Sequence, residues 1–268
     1  MPSRSDAPAP SSSMGRGLDV LTTLAALVRD GQQTTVSEIA RALGRERSQV
    51  SRTLATLDRS GLVERRADRS FALAWGWYAA AQELTAQRVR THGLAVLESL
   101  SSQLGEAAFL SELQGDATLT TLESLPSASR MIGSWIGRAY PAYCSDAGRA
   151  SLWDASEDEV RAVFASTEFT PQGPNTPTSV DDFLARLDDD RQRGFSIVDQ
   201  EAEPGLYSVA APVWDFRGEV VGAVQVVGTR AALHARTAEC GDACARAAAD
   251  LSRQLGAPAS QRSSAAAR

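Results

Sequence analysis

The stretch that decides the fold is Thr35-Val-Ser-Glu-Ile-Ala-Arg-Ala-Leu-Gly44, followed after three residues by Ser48-Gln-Val-Ser-Arg-Thr-Leu54. Thr35 and Glu38 have the spacing of a capping box, in which the hydroxyl accepts from a first-turn amide and the carboxylate reaches back. The spacing predicts a helix over about 36–43, which Gly44 leaves through the left-handed conformation. A second helical pattern, Val50, Leu54 and Leu57, runs to Gly61. Ala40 is small where two helices would cross, Gly44 stands at the turn, and Val50 is apolar where the second helix must pack under the first. These are the positions that a helix-turn-helix constrains. At roughly 100° per residue, Val50, Leu54 and Leu57 share one face, leaving Ser48, Arg52, Ala55 and Arg59 opposite with Gln49 beside them. That polar, basic face suits a DNA major groove, where Gln pairs with an adenine edge and Arg with guanine. A solvated surface helix is the plainer reading of such a face taken alone, and its neighbours in the chain argue against it.

Upstream, Leu18, Leu21, Leu24, Ala25 and Val28 form the one-sided stripe of an amphipathic helix over 17–28. Downstream, Leu62-Val-Glu-Arg65 and Ser70-Phe-Ala-Leu73 flank the charged turn Arg66-Ala-Asp-Arg69. This is the hairpin of a winged helix, whose tip arginines would reach phosphates or the minor groove. The candidate DNA contacts are therefore Arg45, Arg47, Ser48, Gln49, Ser51, Arg52, Arg59, Arg65, Arg66 and Arg69. A formal net charge of −6 argues against nucleic acid only until its distribution is examined. Residues 1–75 carry a balance of +3 and the remainder −9, so the N-terminal part is the candidate for phosphate contact. Every basic residue is Arg, which reads as compositional bias.

From Trp75 to Leu104 the pattern is helical, with a break expected near Thr91-His-Gly93. Trp77, Ala80, Ala81 and Leu84 form one apolar stripe, assigned to a dimer contact; Leu94, Leu97, Leu100 and Leu104 form a second, assigned to packing on the next domain. Beyond Gly105 the chain reads as α/β: a hairpin of 107–113 and 117–123, a strand over 132–136, and a short helix from near Ser145. A helix capped by Ser156, a helix from Ser179 to Arg193, strands at 195–198, 207–213 and 220–227, and a long helix over 231–255 follow. The fold class is α+β: tail 1–14, winged helix-turn-helix 15–75, helical linker 76–104, α/β domain 105–256, and a polar tail 257–268 expected to be disordered.

Composition bounds the rest. At 268 residues, 43% hydrophobic and 22% charged, the chain can bury two cores. No apolar run approaches a membrane span, and residues 1–13 lack the apolar core of a signal peptide, so the cytoplasm is expected. Cys144, Cys240 and Cys244 are too few and too oddly placed for a disulfide framework.

The order of these motifs resembles the IclR family of bacterial transcriptional regulators, from about Gly15 to Gly256. Besides 35–54, the likeness is carried by Gly61-Leu-Val-Glu-Arg65, by Pro141-Ala-Tyr-Cys-Ser-Asp-Ala-Gly-Arg-Ala150, and by Glu203-Pro-Gly-Leu-Tyr-Ser-Val-Ala-Ala-Pro-Val213 continued through Gly218 to Val227. The resemblance implies a GAF-like effector domain enclosing a cavity for a small carboxylate, often an aromatic or central-metabolic acid. It also implies homodimers or homotetramers on an inverted-repeat operator in double-stranded DNA, and no cofactor. Carried over by position, the cavity should be lined by Met131, Gly133, Tyr143, Ser145, Asp146, Ala147, Gly148, Asp199, Glu201, Leu206, Ser208, Val224 and Val226. Amides at the helix start near Ser145 would receive a carboxylate. Three positions depart from the family pattern: Tyr143 stands for His, Asp146 for a small residue and Arg149 for Lys. A Tyr and an Asp favour a ligand with an aromatic ring or a donor group.

Three rivals remain. An enzyme on the α/β domain would need Cys144 as nucleophile with a base in reach, and the only histidines, His92 and His234, fall outside the pocket segments. Cys240, Cys244 and His234 could ligate a metal, although buried thiols on a core helix explain such a pair more simply. The C-terminal half could also serve as a ligand-free dimerisation module.

Overall fold

The computed structural model describes residues 12–126 and 134–258, without the side chains of 78 and 80–86. Contacts divide the chain into two units, Met1–Leu84 and Thr85–Arg268. The division falls inside a helix, between the boundaries of 75 and 105 read from the sequence.

In the first unit, α1 (Ser13–Arg29) begins earlier than expected because the Ser12 hydroxyl accepts from the Gly15 amide at 3.0 Å. Its buried face is Val20, Leu24 and Leu27, whereas Leu18 and Val28 of the expected stripe are exposed. Leu24 is common to both faces, and the core takes it with Val20 and Leu27 in place of Leu18 and Val28. α2 (Val36–Leu43) is capped by Thr35 and left through Gly44 at φ 61°. The reciprocal half of the capping box is replaced by an ion pair of Glu38 with Arg41 at 2.6 Å. α3 (Arg47–Arg59) buries Val50, Leu54 and Leu57 against Ile39, Ala40 and the α1 face. The hairpin β1 (Val63–Arg65) and β2 (Phe71–Leu73) pairs Val63 with Leu73 and Arg65 with Phe71. Phe71 also exchanges bonds with Thr34: its amide donates to the Thr34 carbonyl, and the Thr34 hydroxyl donates to its carbonyl at 2.6 Å. The hairpin is thereby tied to the segment entering α2.

α4 (Trp75–Leu104) runs without the break expected near Gly93. A Cβ at Gly93 would stand 2.8 Å from a Leu122 methyl, so this glycine admits the sheet to the helix and does not end it. Leu97, Leu100 and Leu104 of the second stripe are buried, but Leu94 is 42% exposed. Of the first stripe, Trp77 is 54% exposed and the side chains of Ala80, Ala81 and Leu84 lie outside the described residues.

The second unit is a six-stranded antiparallel sheet, formed by β3 (Ala107–Gln114), β4 (Ala117–Ser124), β5 (Ala139–Pro141), β6 (Ser196–Asp199), β7 (Leu206–Trp214) and β8 (Val220–Thr229). Their order is β5-β4-β3-β8-β7-β6. The strand expected at 132–136 is displaced: its described part, Ser134–Ile136, is irregular and turns into β5. The helices are α5 (Asp146–Ser151), α6 (Glu157–Val163), α7 (Val180–Arg193), α8 (Arg230–Leu233) and α9 (Thr237–Gln254). Ser156 and Glu159 complete a capping box on α6. The single long helix expected over 231–255 is interrupted, because a 3₁₀ turn at His234–Arg236 separates α8 from α9. Past its end Ala257 is buried, so the ordered core extends into the expected tail.

Leu97, Leu100 and Leu104 join Cys244, Ala248 and Leu251 of α9 over one sheet face, with Val209, Ala211, Val224 and Val226 beneath them. On the other face Ala147 and Ala150 of α5 meet Ala210 and Ala223. α5 is anchored by Arg149, whose side chain is 1% exposed. Its Nε donates to Asp190 at 2.5 Å and its Nη1 to Glu201 at 2.6 Å, while Nη2 donates to the Ile197 carbonyl. Burial disfavours the charge, but Asp190 and Glu201 more than offset it and hold Arg149 well above the ordinary arginine pKa. Removing one partner of such a cluster leaves uncompensated charge in the interior, at a cost of about 3–5 kcal/mol. Arg149→Ala should destabilise the second unit by that amount in urea unfolding of the full chain, and Arg149→Lys by less. An Arg149→Ala loss below about 1 kcal/mol would show that α5 is held by its alanine contacts alone.

Candidate functional site

Two surfaces carry the candidate chemistry, one in each unit. On α3 the buried residues Val50, Leu54 and Leu57 force Arg47, Ser48, Ser51, Arg52 and Arg59 into solvent, with Gln49 half-buried. Arg52 Nε bonds the Ser48 carbonyl at 3.3 Å and Arg59 bonds the Thr56 hydroxyl at 3.4 Å, light tethers within one helix. Arg45 differs, because its side chain is 18% exposed and its guanidinium pairs with Asp19 of α1 at 2.6 Å. It braces the turn and is not a free cation. In the hairpin Arg65 lies 6.0 Å from the Phe71 ring centre, and Arg66 and Arg69 are exposed at the tip. Arg69 adopts φ 67°, the left-handed residue that closes this turn, and the Asp68 carboxylate braces it by accepting from the Ser70 amide and hydroxyl.

In the second unit a cavity enclosing about 60 Å³ lies between the sheet and α5. Its polar end is formed by Ser111, Thr118, Thr120, Ser145, Asp146, Ser208 and Gln225, and its apolar walls by Phe109, Trp135, Tyr140, Val198, Ala202, Leu206 and Val227. Arg138 also lines it, 5.2 Å over the Trp135 ring. Tyr140 donates its hydroxyl to the Ala202 carbonyl at 3.0 Å, and burial pushes that hydroxyl's pKa up. Asp146 is 7% exposed, and burial pushes its carboxyl up to about 6 against bonds from the Ala147 amide and Ser208. With its nitrogen turned to Asp146, the Gln225 amide donates to both carboxylate oxygens at 3.0 and 3.2 Å.

Of the residues expected to line this cavity, Ser145, Asp146, Leu206 and Ser208 do so. Met131 and Gly133 lie outside the described residues. The rest are placed elsewhere. Tyr143 is buried away from this cavity, where it donates to the Thr170 carbonyl at 2.8 Å and packs on Phe169, and Tyr140 takes the cavity wall. Ala147 packs on the sheet, and at Gly148 a Cβ would come 1.9 Å from the Ala142 carbonyl oxygen, so the glycine serves a close backbone approach. Asp199 pairs with Arg230 at 2.7 Å, and Glu201 is consumed by Arg149 and by Arg186 at 3.1 Å. Val224 and Val226 face α9, because alternate residues of a strand point to opposite faces and the cavity is met by Gln225 and Val227. The same alternation, Phe109 with Ser111 on β3 and Thr118 with Thr120 on β4, was the available signal for the lining residues that sequence reading missed.

The rival sites are placed as follows. Cys144 is buried, and burial pushes its thiol up to about 12, the reverse of an activated nucleophile. Cys240 and Cys244 are buried under the sheet, where Cys244 Sγ points to the Val224 carbonyl at 3.1 Å. Among the described residues no group of three or more His, Cys, Asp and Glu side chains could hold a metal ion, and no helix is long and apolar enough to cross a membrane.

Comparison with known proteins assigns both units. Residues 81–253 match the C-terminal domain of the bacterial transcriptional regulator IclR, and residues 17–70 match the MarR family. The Pca regulon regulatory protein of Pseudomonas putida is 33% identical over 135 residues, which cover 48% of this chain and 45% of that protein. The HTH-type transcriptional regulator BhcR of Paracoccus denitrificans is 29% identical over 89% of this chain and 85% of its own. The crystal structure of the Thermotoga maritima IclR shares the fold with a TM-score of 0.60 at 22% identity, covering 91% of this chain and 98% of that one. A winged helix-turn-helix ahead of an IclR-type effector domain is the architecture of a DNA-binding regulator, and this chain belongs to the IclR family of bacterial transcriptional regulators.

Proposed function

We propose that the chain binds an inverted-repeat operator as a homodimer or homotetramer, and that a small carboxylate or aromatic acid in the C-terminal cavity modulates this binding. The observation that carries the reading is the outer face of α3, where Arg47, Ser48, Ser51 and Arg52 stand in solvent over a fully packed inner face. A two-fold assembly presents two such helices to two half-sites. Arg52 and Gln49 read base edges; Arg47, Arg59, Arg66 and Arg69 meet phosphate or the minor groove. Arg45 acts indirectly by holding the turn to α1.

A ligand alters operator affinity only by binding one arrangement of the DNA-reading units better than another. Cavity and α3 lie on different units, so the coupling runs along α4, which contributes residues to both. This supports a division of labour in which cavity residues set the response and α4 residues near Trp77 set operator affinity.

Footprinting on the promoter regions beside the gene tests the DNA half. Arg52→Ala should weaken operator binding by about 1–3 kcal/mol and relax specificity at one position, and Arg66→Ala should weaken all sequences alike and lower the salt slope by about 1. Wild-type operator affinity in Arg52→Ala and Gln49→Ala would overturn the assigned face. A thermal-shift screen against aliphatic and aromatic acids tests the effector half, since a ligand of the native state raises its melting temperature. Ser208→Leu should abolish that shift and leave operator binding intact, whereas Trp77→Ala should change operator affinity, on a scale of about 1–3 kcal/mol, and keep the shift. Loss of operator binding in Ser208→Leu, with its fold retained, would overturn the division.

A further inference from the structure

The cavity floor is closed to a ligand's carboxylate. Asp146 has its acceptor positions filled within the protein: by the Ala147 amide at 2.9 Å, by the Gln225 amide on both oxygens, by Ser208 and by its own backbone amide. The Gly148 amide is likewise taken, by Ser145 Oγ at 3.0 Å. Ser111 donates to the Gln225 carbonyl at 2.5 Å, and the Thr118 and Ser145 hydroxyls bond each other at 3.1 Å. The floor is thus a buried negative charge whose hydrogen bonds are already made. Arg149, three residues further along α5, is committed to Asp190 and Glu201. Among the described residues that line the cavity, Arg138 alone brings a positive charge that is not so committed. It is exposed at the solvent end, lies 5.2 Å over the Trp135 ring and makes no ion pair among the described residues. A guanidinium set over a ring face keeps its in-plane N–H donors for an acceptor, and a carboxylate matches that fork with two parallel bonds.

We propose that the effector is a monocarboxylate that enters the cavity apolar end first, with Arg138 at the mouth holding its carboxylate and Trp135, Phe109, Leu206 and Val227 packing on its body. The assignment rests on the acid-effector reading above and names the residue that recognises the acid. A carboxylate carried to the floor would meet Asp146 as a like charge in a desolvated site, which disfavours both ionised forms. It would also find the Ala147 and Gly148 amides occupied. An apolar end leaves no group of Asp146 without a partner there, and it gains the burial that the walls offer. At the mouth Arg138 keeps its charge at any working pH and presents the planar fork that a carboxylate fits. About 60 Å³ is room for roughly four to six water-sized spheres, the size of a butyl chain or a phenyl ring. The body of such an acid fills the cavity and leaves its carboxylate at the level of Arg138.

Calorimetric titration of the full chain at pH 8, where Asp146 is ionised, tests this with two matched sets of compounds. The first is pentanoate, pentanamide and adipate; the second is benzoate, benzamide and terephthalate. In at least one set the monocarboxylate should bind tenfold or more tighter than its amide and its dicarboxylate. Arg138→Gln, made at an exposed position that carries no part of the core, should weaken that acid about tenfold and bring it within about threefold of its amide. The amide's own affinity should change less than threefold, which separates loss of the anchor from damage to the cavity. An amide or dicarboxylate equal to or ahead of the monocarboxylate in the wild type, or an acid preference that survives Arg138→Gln, would overturn the assignment and leave the acid-effector reading standing. Binding of none of the acids by the wild type would overturn that reading as well.

Discussion

One buried guanidinium organises the effector domain. Arg149 projects from α5 into the interior and gathers α7 through Asp190, the segment after β6 through Glu201, and β6 itself through the Ile197 carbonyl. Arg186 and Arg193 close the cluster from outside by pairing with Glu201 at 3.1 Å and Asp190 at 2.6 Å. Because α5 begins with Ser145 and Asp146, the position of the cavity floor follows from this cluster. Moving α5 would mean separating charges in a medium that stabilises them poorly. Arg supplies what Lys cannot: a planar fork with donors aimed at three segments at once.

Much of this was legible in the sequence, and the failures have physical causes. In the first unit the period of 3.6 and the Gly44 turn gave the bounds of α2 and the buried face of α3, whose start at Arg47 the pattern left open. On α1 the same rule took Leu18, Leu21, Leu24, Ala25 and Val28; Leu24 is buried and Leu21 packs against the core, but tertiary packing takes Val20 and Leu27 in place of Leu18 and Val28. Gly93 was read as a breaker because a glycine in a helix costs stability, but its missing side chain is what lets Leu122 approach. Arg45 looked like a phosphate contact until Asp19, twenty-six residues away, claimed it.

The cavity was less legible for two reasons. Strand residues alternate between faces, so a reading one position out of phase selects a complete set of wrong side chains, as at Val224 and Val226 against Gln225 and Val227. Conversely, Tyr143, Asp199 and Glu201 are polar residues in the right segments whose partners lie outside the cavity: a carbonyl, Arg230 and Arg149. A polar residue near a pocket shows its role only when its hydrogen bonds are accounted for.

The strand order has a consequence for how the protein is made. β3 and β8 are neighbours at the middle of the sheet, with Ala107 opposite Val227, so the central pairing joins segments 120 residues apart in the chain. Contacts in the first unit close over far shorter distances. During synthesis the DNA-reading unit can complete itself while β8 is still unmade, whereas the cavity is not closed until β7 and β8 have emerged. For that interval β3 and β4 form a hairpin with one unsatisfied edge. β3 gains its second partner only when β8 arrives, so the ribosome releases a reader first and a sensor last.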